Sequence, residues 1–250
     1  MFSDRLRAIL KAVTGGEVQP AGDDSLRPAR PPRDPAPASN TNFSIAAVKT
    51  ANTHPANPQQ RNSTAFQQFV RSLDTTRDLR LLDLGGANSA NIQFMSQYGS
   101  RLYSEDFFAT LEDCFGDGDF YENQRDPARV ESFLVQTFSE QRGPFDGALV
   151  WDCLQFLRPS LLERTVDHLH RILDPGAYLL AYFYADDKAP TIPQYSFRIQ
   201  DESSLILTPK GELPPGQPFS NRNIERLFED FQSVKFFLSR DHVREVLVRR

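Results

Sequence analysis

Two hydrophobic patterns alternate along this 250-residue chain from residue 63 onward. Short and nearly continuous apolar runs at 79–84, 147–151 and 177–184 are typical of strands that are buried on both faces. Between them lie segments whose apolar residues recur three and four positions apart, which indicates amphipathic helices. Strands that alternate with helices predict an α/β fold, in which helices cover both faces of a mostly parallel sheet.

Three helices are predicted where the apolar residues share one face. The first begins near Ser63 or Thr64, and either residue is a suitable N-cap. The second contains the apolar positions of residues 161–172, and the sequence Asp-Pro-Gly at 174–176 ends it. The third helix covers residues 221–231.

The pattern is ambiguous after residue 106. Phe107 and Leu111 favour the start of a helix, and the sequence Gly-Asp-Gly-Asp at 116–119 favours a turn. Residues 130–138 fit either helical spacing or a short strand. The spacing of the apolar residues leaves both interpretations open.

Strand patterns return towards the end of the chain. An alternating segment at 195–207 predicts a β-hairpin or an extended arm, and a loop rich in Pro and Gly follows at 209–218. Residues 234–238 and 243–248 are predicted to form a closing hairpin, which a turn at 239–242 joins.

The first 60 residues differ from the rest. Residues 2–14 form an amphipathic pattern that predicts a short helix, which either docks on a membrane surface or a partner protein or lies against the main domain. Residues 17–60 are rich in Pro, Ala and Ser, which predicts a disordered linker. The predicted organisation is an N-terminal helix (1–16), a linker (17–60) and one globular domain (61–250).

Composition narrows the classes of partner and compartment. The formal net charge of −5 gives no broad basic surface for nucleic acid. No run approaches the roughly 20 apolar residues of a membrane-spanning helix. Cys114 and Cys153 lie far apart without metal-type spacing, and His168 and His170 point to different faces of a helix. We therefore predict free thiols, no metal site and a cytoplasmic location.

Residues 81–89, Leu-Leu-Asp-Leu-Gly-Gly-Ala-Asn-Ser, are the most informative stretch of the chain. A short strand breaks at Gly85 and Gly86 and a helical pattern follows, as in the opening unit of nucleotide-binding α/β domains. Glycine lets the backbone approach a ligand closely because no Cβ stands in the way. A second short strand ends at Glu105 and Asp106, about 20 residues after the turn, where such folds place an acid that binds ribose hydroxyls.

At four landmarks the chain resembles the class I S-adenosylmethionine-dependent methyltransferases. Residues 82–86 and 101–106 look like the first and second motifs of that family. Residues 144–150 resemble the entry to its fourth strand, and residues 169–177 resemble its junction between a helix and the next strand. The resemblance covers about residues 63–250. It implies a doubly wound, mostly parallel, seven-stranded sheet with a C-terminal antiparallel hairpin and helices on both faces.

The resemblance also implies a site for S-adenosyl-L-methionine at the glycine turn. Asp106 would accept both ribose hydroxyls, with Glu105 as the second choice, and Asp83 would orient the turn or accept from the amine of the cofactor. The family usually has Gly-x-Gly-x-Gly here, whereas Ala87 and Ser89 keep this turn small, and the third strand, which usually supplies an adenine contact, is not evident. The predicted cofactor-binding residues are Asp83, Gly85, Gly86, Ala87, Asn88, Glu105, Asp106 and Trp151.

Asp152 directly follows the predicted fourth strand, and ligands gather at the carboxyl ends of strands in open α/β sheets. We predict that Asp152 is the catalytic residue, as a general base or as a group that orients the acceptor; the alternative is a cap for the following turn. Trp151 either walls the pocket or packs in the core. Residues 152–155 lack the Asn/Asp-Pro-Pro-aromatic motif of enzymes that methylate DNA bases or glutamine amides, which disfavours those substrates.

Three functional hypotheses follow. The first is an S-adenosylmethionine-dependent methyltransferase that acts by in-line displacement on an unidentified acceptor, with a small molecule favoured and residues 186–220 as the acceptor lid. The second is a non-catalytic binding or scaffold protein, tethered through the helix at 2–14; side chains that block the cofactor pocket would favour it. The third is a nicotinamide-dependent oxidoreductase, against which the glycine spacing and the terminal hairpin argue.

Overall fold

The computed structural model describes four stretches of the chain, which are residues 57–138, 144–186, 188–238 and 243–250. The predicted helix at 2–14, nearly all of the predicted linker at 17–60 and the predicted turn at 239–242 lie outside these residues. In the described stretches, no helix is both long and apolar enough to cross a membrane.

Nine strands and seven α-helices are present in the described residues. In chain order they are β1 (Gln59–Asn62), α1 (Thr64–Arg71), β2 (Leu79–Asp83), α2 (Ser89–Ser96), β3 (Ser100–Ser104), α3 (Phe107–Phe115), α4 (Phe120–Asn123), α5 (Pro127–Thr137), β4 (Phe145–Trp151), α6 (Pro159–Ile172), β5 (Leu173–Tyr184), β6 (Ile192–Ile199), β7 (Ser204–Leu213), α7 (Asn221–Leu227), β8 (Ser233–Leu238) and β9 (Val243–Arg249). A 3₁₀ turn at Cys153–Phe156 follows β4.

The main sheet has six strands in the order β3-β2-β4-β5-β9-β8. The first four strands are parallel, whereas β9 is antiparallel to both β5 and β8. The mostly parallel sheet and its closing antiparallel hairpin are therefore as predicted. The prediction of seven strands is wrong, because the sheet of the described residues has six.

A helix occupies the stretch that the sequence left open between helix and strand. Residues 130–138 lie almost entirely in α5. Asp126 caps this helix by accepting from the backbone N–H groups of Ala128 and Arg129. Phe133 packs edge-to-face on Phe107 of α3, at a distance of 5.2 Å between ring centroids. The helical face of α5 is thus stabilised by contact with α3.

Two core clusters cover the two faces of the main sheet. One contains apolar residues of α3, α4, α5, α6 and α7, and the other contains those of α1 and α2 together with β6 and β7. Helices therefore lie on both faces. Within the sheet, the chain leaves β2 for β3 on one side and returns to β4 on the other side. A crevice at the carboxyl ends of β2 and β4 is the expected place for a ligand.

A second, three-stranded antiparallel sheet has the order β1-β7-β6. The predicted hairpin at 195–207 is present, but its strands are longer than predicted. Since β7 continues to Leu213, the first part of the loop predicted at 209–218 is a strand. The strand β1 begins at Gln59, so the last two residues of the predicted linker pair with β7.

A buried ion pair joins this small sheet to the main sheet. Arg61 of β1 lies 2.7 Å from Glu245 of β9, and both side chains are almost fully buried. Glu245 also accepts from the hydroxyl of Ser63 and from the backbone N–H of Ala65 at the start of α1. Of the two predicted N-cap residues, Ser63 caps α1. These bonds hold β1 and α1 against β9.

Two element boundaries differ from the prediction. Helix α6 ends at Ile172, and β5 begins at the next residue. Residues 174–176 therefore lie inside β5, where they form an irregularity between Leu173 and Tyr178, two residues that pair with β4. Helix α7 ends at Leu227, four residues before the predicted end at 231.

Candidate functional site

The glycine turn connects β2 to α2 and contacts the end of β3. Gly86 has a φ angle of +82°, which glycine adopts without strain. Its backbone N–H donates to the carbonyl oxygen of Glu105. Asn88 is the N-cap of α2 and accepts from the backbone N–H groups of Ala90 and Asn91. The turn is therefore tied to the residue that precedes Asp106.

Asp106 lies directly against this turn. A Cβ atom built on Gly86 would be 3.4 Å from Oδ2 of Asp106, and Gly85 forms an isolated β-bridge with Asp106. The other carboxylate oxygen, Oδ1, caps α3 by accepting from the N–H of Ala109. Asp106 is exposed. The structure thus brings together the glycine turn and the acid that the sequence predicted to act together.

Asp83, at the end of β2, is buried beneath the turn. Its Oδ1 accepts from the indole Nε1 of Trp151 at 2.6 Å and from the N–H of Gly85 at 2.9 Å. Its Oδ2 accepts from the amide of Asn91 at 3.4 Å. Burial raises the pKa of Asp83, and these hydrogen bonds oppose the rise. Asp83 thus orients the turn from below rather than facing open space.

Trp151 ends β4 in a strained conformation. Its φ angle of +56° is rare for a bulky residue, and the register of β4 against β5 shifts between Leu149 and Trp151. The indole is buried and stacks on Phe197 with ring centroids 4.8 Å apart and on Tyr182 at 6.2 Å. This backbone conformation places the indole beside Gly85.

Replacing Gly85 by alanine is expected to lower the free energy of unfolding by about 1–3 kcal/mol. The new Cβ would stand 2.8 Å from Nε1 of Trp151 and 3.1 Å from Oδ1 of Asp83, and both groups are held by their mutual hydrogen bond. Urea unfolding would measure the change. The control is Ala87→Ser at an exposed position of the same turn, for which about 0.5 kcal/mol or less is expected. Equal effects of the two substitutions would contradict the close contact.

Asp152 is buried next to the indole, and its two carboxylate oxygens differ in their surroundings. Oδ2 accepts from the backbone N–H of Tyr195, on β6, at 2.8 Å. Oδ1 is buried and has no hydrogen-bond partner among the described residues. Burial raises the pKa of Asp152 to about 7. A carboxyl group of this kind is a candidate for proton transfer near neutral pH.

A cavity of about 480 Å³ opens at the carboxyl ends of β2 and β4, a size typical of small-molecule sites. Its residues come from the glycine turn and α3, from the end of β4, and from the hairpin of β6 and β7. They are Gly85, Asp106, Phe108, Ala109, Glu112, Trp151, Asp152, Cys153, Gln194, Tyr195, Ser196, Phe197, Lys210, Gly211 and Leu213.

Four of the predicted site residues line this cavity, namely Gly85, Asp106, Trp151 and Asp152. The other predicted residues are not among its lining residues; they belong to the turn itself or flank it. They are Asp83, Gly86, Ala87, Asn88 and Glu105. Trp151 combines both predicted roles, since it lines the cavity and is also buried in the core.

Asn91 is a buried residue of α2 that was not predicted as part of the site. Its amide donates to the carbonyl oxygen of Phe197 at 3.2 Å, and its carbonyl oxygen accepts from the N–H of Ile199 at 2.8 Å. Asn91 thereby holds β6 over the site. An uncharged polar residue on the inward face of α2 was the available signal. The hairpin that it holds lies within the region predicted as a lid, at 186–220.

In the parts of the chain that are described, no three His, Cys, Asp or Glu side chains cluster as a metal site would require. Cys114 and Cys153 are free thiols, and both are buried. The fold and the cavity together define an α/β domain with a crevice of small-molecule size at the switch point of its parallel strands.

No protein-family model matches the chain, and no curated protein matches it by sequence. Its structure is similar to several solved methyltransferases. One is the 1,6-didemethyltoxoflavin-N1-methyltransferase of Burkholderia thailandensis, solved with 1,6-didemethyltoxoflavin and S-adenosylhomocysteine. It is 16% identical, the match covers 74% of this chain and 76% of that one, and the TM-score is 0.41.

Two further similar structures are also methyltransferases. Human N-acetylserotonin methyltransferase, solved with S-adenosylmethionine, is 13% identical over 75% of this chain and 52% of that one, with a TM-score of 0.41. This chain thus spans about half the length of the human protein. The N-methyltransferase NodS of Bradyrhizobium japonicum is 14% identical over 74% of this chain and 93% of that one, with a TM-score of 0.38.

Proposed function

We propose that this protein is an S-adenosyl-L-methionine-dependent methyltransferase that acts on a small-molecule acceptor. The observation that carries the proposal is the position of Asp106. Its carboxylate lies against the Gly85-Gly86 turn, at the wall of a cavity of about 480 Å³ at the switch point of the sheet. An acid in contact with a glycine turn at this place is the arrangement that binds the ribose of a nucleoside.

The residues present fit this cofactor. Asp106 is exposed and has the carboxylate oxygens to accept from a ribose diol, while the exposed Gly85 lines the cavity with backbone alone. Phe108, Phe197 and Leu213 give apolar wall surface suited to a flat base or to the apolar part of an acceptor. The bound cofactor would supply an electrophilic methyl group on a sulfonium, so no metal or covalent nucleophile is required.

Other residues of the cavity position and shield the reacting groups. The hairpin of β6 and β7 covers one side, and Asn91 and Asp152 fasten β6 by hydrogen bonds to its backbone. A wall on this side limits the orientations of two bound reactants, and holding them in line is the main requirement of a displacement reaction. Asp152 is the catalytic residue in this proposal, because it is the buried carboxyl of the cavity wall.

Calorimetric titration of the full chain with S-adenosylmethionine and with S-adenosylhomocysteine tests the proposal. We expect binding of both compounds, weakened roughly 10- to 100-fold by Asp106→Asn, since hydrogen bonds to a charged group contribute about 1.5–3 kcal/mol. Asparagine keeps the cap of α3. The matched control is Asp126→Asn, which changes the exposed N-cap aspartate of α5 outside the cavity. Absence of binding to the folded wild type would overturn the proposed function.

The hypothesis of a non-catalytic scaffold has no supporting observation in the described residues, because its tethering helix at 2–14 lies outside them. We retain a cytoplasmic location as part of the proposal, because Cys114 and Cys153 are unpaired thiols.

A further inference from the structure

We infer that Asp152 makes the cavity selective for acceptors that carry a hydroxyl or a neutral amine on an apolar, ring-sized body. This inference rests on the proposed function and adds the chemical class of the acceptor. It begins from the unequal surroundings of the two carboxylate oxygens. Oδ2 is engaged by the N–H of Tyr195, whereas Oδ1 is buried without a partner among the described residues.

A buried hydrogen-bond acceptor without a partner raises the free energy of the folded protein, because it has lost its hydrogen bonds to water. None of the ion pairs found among the described residues involves Asp152. Asp152 lines the cavity. In this inference, a bound ligand that donates a hydrogen bond pairs with Oδ1 of the ionised carboxyl, whereas a ligand that only accepts leaves Oδ1 without a partner. A carboxylate acceptor would place a second negative charge beside it, which is unfavourable.

The residues of the cavity wall indicate the shape of the rest of the methyl acceptor. Phe108, Trp151, Phe197 and Leu213 present apolar surface to the cavity. Aromatic walls of this kind favour a flat apolar body. The cavity wall therefore combines an apolar surface with one buried hydrogen-bond acceptor, Oδ1 of Asp152.

Asp152 also provides a base for the proton that the methyl acceptor releases. A bond forms between the acceptor oxygen or nitrogen and the methyl carbon, while the bond from carbon to sulfur breaks and its electron pair stays on sulfur as a thioether. The proton of the hydroxyl or amine passes to Oδ1 of Asp152, which leaves that carboxyl neutral. Atoms and charge balance without any further reactant.

The pKa of Asp152 suits its role as the group that accepts the proton. Burial raises the pKa of Asp152 to about 7, so the carboxylate is available near neutral pH. The other titratable groups of the cavity wall are Asp106 at the N-cap of α3, Glu112 on α3, Lys210 on β7, the Tyr195 hydroxyl and Cys153. The wild-type rate is expected to rise with pH up to about 7, because the ionised form of Asp152 accepts the proton.

The first experiment compares two probes, 2-naphthol and its methyl ether, which differ in the hydrogen-bond donor. Their binding to the full chain, with and without S-adenosylhomocysteine, is measured by ligand-observed NMR at about pH 8.5, above the pKa of about 7, where Asp152 is ionised and can only accept. We expect 2-naphthol to bind roughly 10-fold more tightly or better. The preference should vanish or reverse in Asp152→Asn, whose side chain donates where Oδ1 accepted. Equal binding of the two probes, binding of neither, or a preference that survives in Asp152→Asn would overturn the inference.

The second experiment measures formation of S-adenosylhomocysteine with 2-naphthol, 2-naphthylamine and 2-naphthoate. We expect turnover with the hydroxyl or amine probe and none with the carboxylate. Asp152→Asn should lower kcat/KM by roughly 10²- to 10⁴-fold and remove the rise of the rate with pH, while cofactor binding and the Asp126→Asn control stay as in the wild type. Cofactor binding with turnover of the carboxylate alone, or of no probe, would overturn this inference, whereas loss of cofactor binding in the wild type would overturn the proposed function instead.

Discussion

Replacing Trp151 by alanine is expected to lower the free energy of unfolding by about 3–5 kcal/mol, the range for removal of a large aromatic side chain from a core. The indole is 1% exposed and stacks on Phe197 and Tyr182. Its Nε1 also donates to the buried carboxyl of Asp83, which would lose that partner. Chemical denaturation followed by circular dichroism would measure the change.

Trp151→Phe separates the two causes, because phenylalanine keeps an aromatic ring but has no N–H. The hydrogen bond from Trp151 opposes the raised pKa of Asp83, so its loss raises that pKa further. A group with a raised pKa stabilises the fold at low pH and loses that effect as the pH rises. The stability deficit of Trp151→Phe should therefore shrink as the pH is lowered. A deficit that is the same at every pH would show that packing alone is lost.

Asp152→Asn is expected to change how stability depends on pH. Burial raises the pKa of Asp152 from the ordinary value of 3.8 to about 7. Between these two values the unfolded chain releases this proton while the folded protein retains it, so the wild type loses about 1.4 kcal/mol of stability per pH unit from this group. Asparagine keeps an acceptor for the N–H of Tyr195 and cannot ionise.

The comparison of the two proteins isolates Asp152, since both retain Asp83 and every other titratable group. Relative to the wild type, the variant should gain stability progressively from about pH 4 to about pH 7, by roughly 4 kcal/mol in total, and the difference should then stay level. Thermal or urea unfolding at pH 4, 5.5, 7 and 8 would test this. A difference that does not change across this range would show that Asp152 is not buried as described.

The sequence predicted elements that depend on local patterns. The strand predicted at 79–84 is β2, and the helical face predicted from Leu161 onward is α6. Such elements are readable because a strand buried on both faces is continuously apolar, and an amphipathic helix repeats its apolar residues at helical spacing. The stretch at 130–138 was not readable, because its periodicity fits both structures and its packing against Phe107 and Phe115 decides for the helix.

The candidate site also contains residues that the sequence predicted and residues that only the structure revealed. The glycine turn and the acid at Asp106 were predicted from their distance along the chain, and the structure places them in contact. Asn91 was missed, because its partners in β6 lie more than a hundred positions away along the chain. The positive φ angle of Trp151 has no sequence signature either, since bulky residues rarely adopt it.

The sequence by itself determined the elements with a clear hydrophobic pattern, such as β2 and α6, the glycine turn, the acid that follows it and the position of Asp152 after β4, because each of these depends on residue type and short-range spacing. Only the tertiary structure decided that the main sheet has six strands, that β6 and β7 wall the cavity, and that one oxygen of Asp152 is engaged while the other is not. These features depend on which distant segments pack together, and the period of a hydrophobic pattern carries no information on that choice.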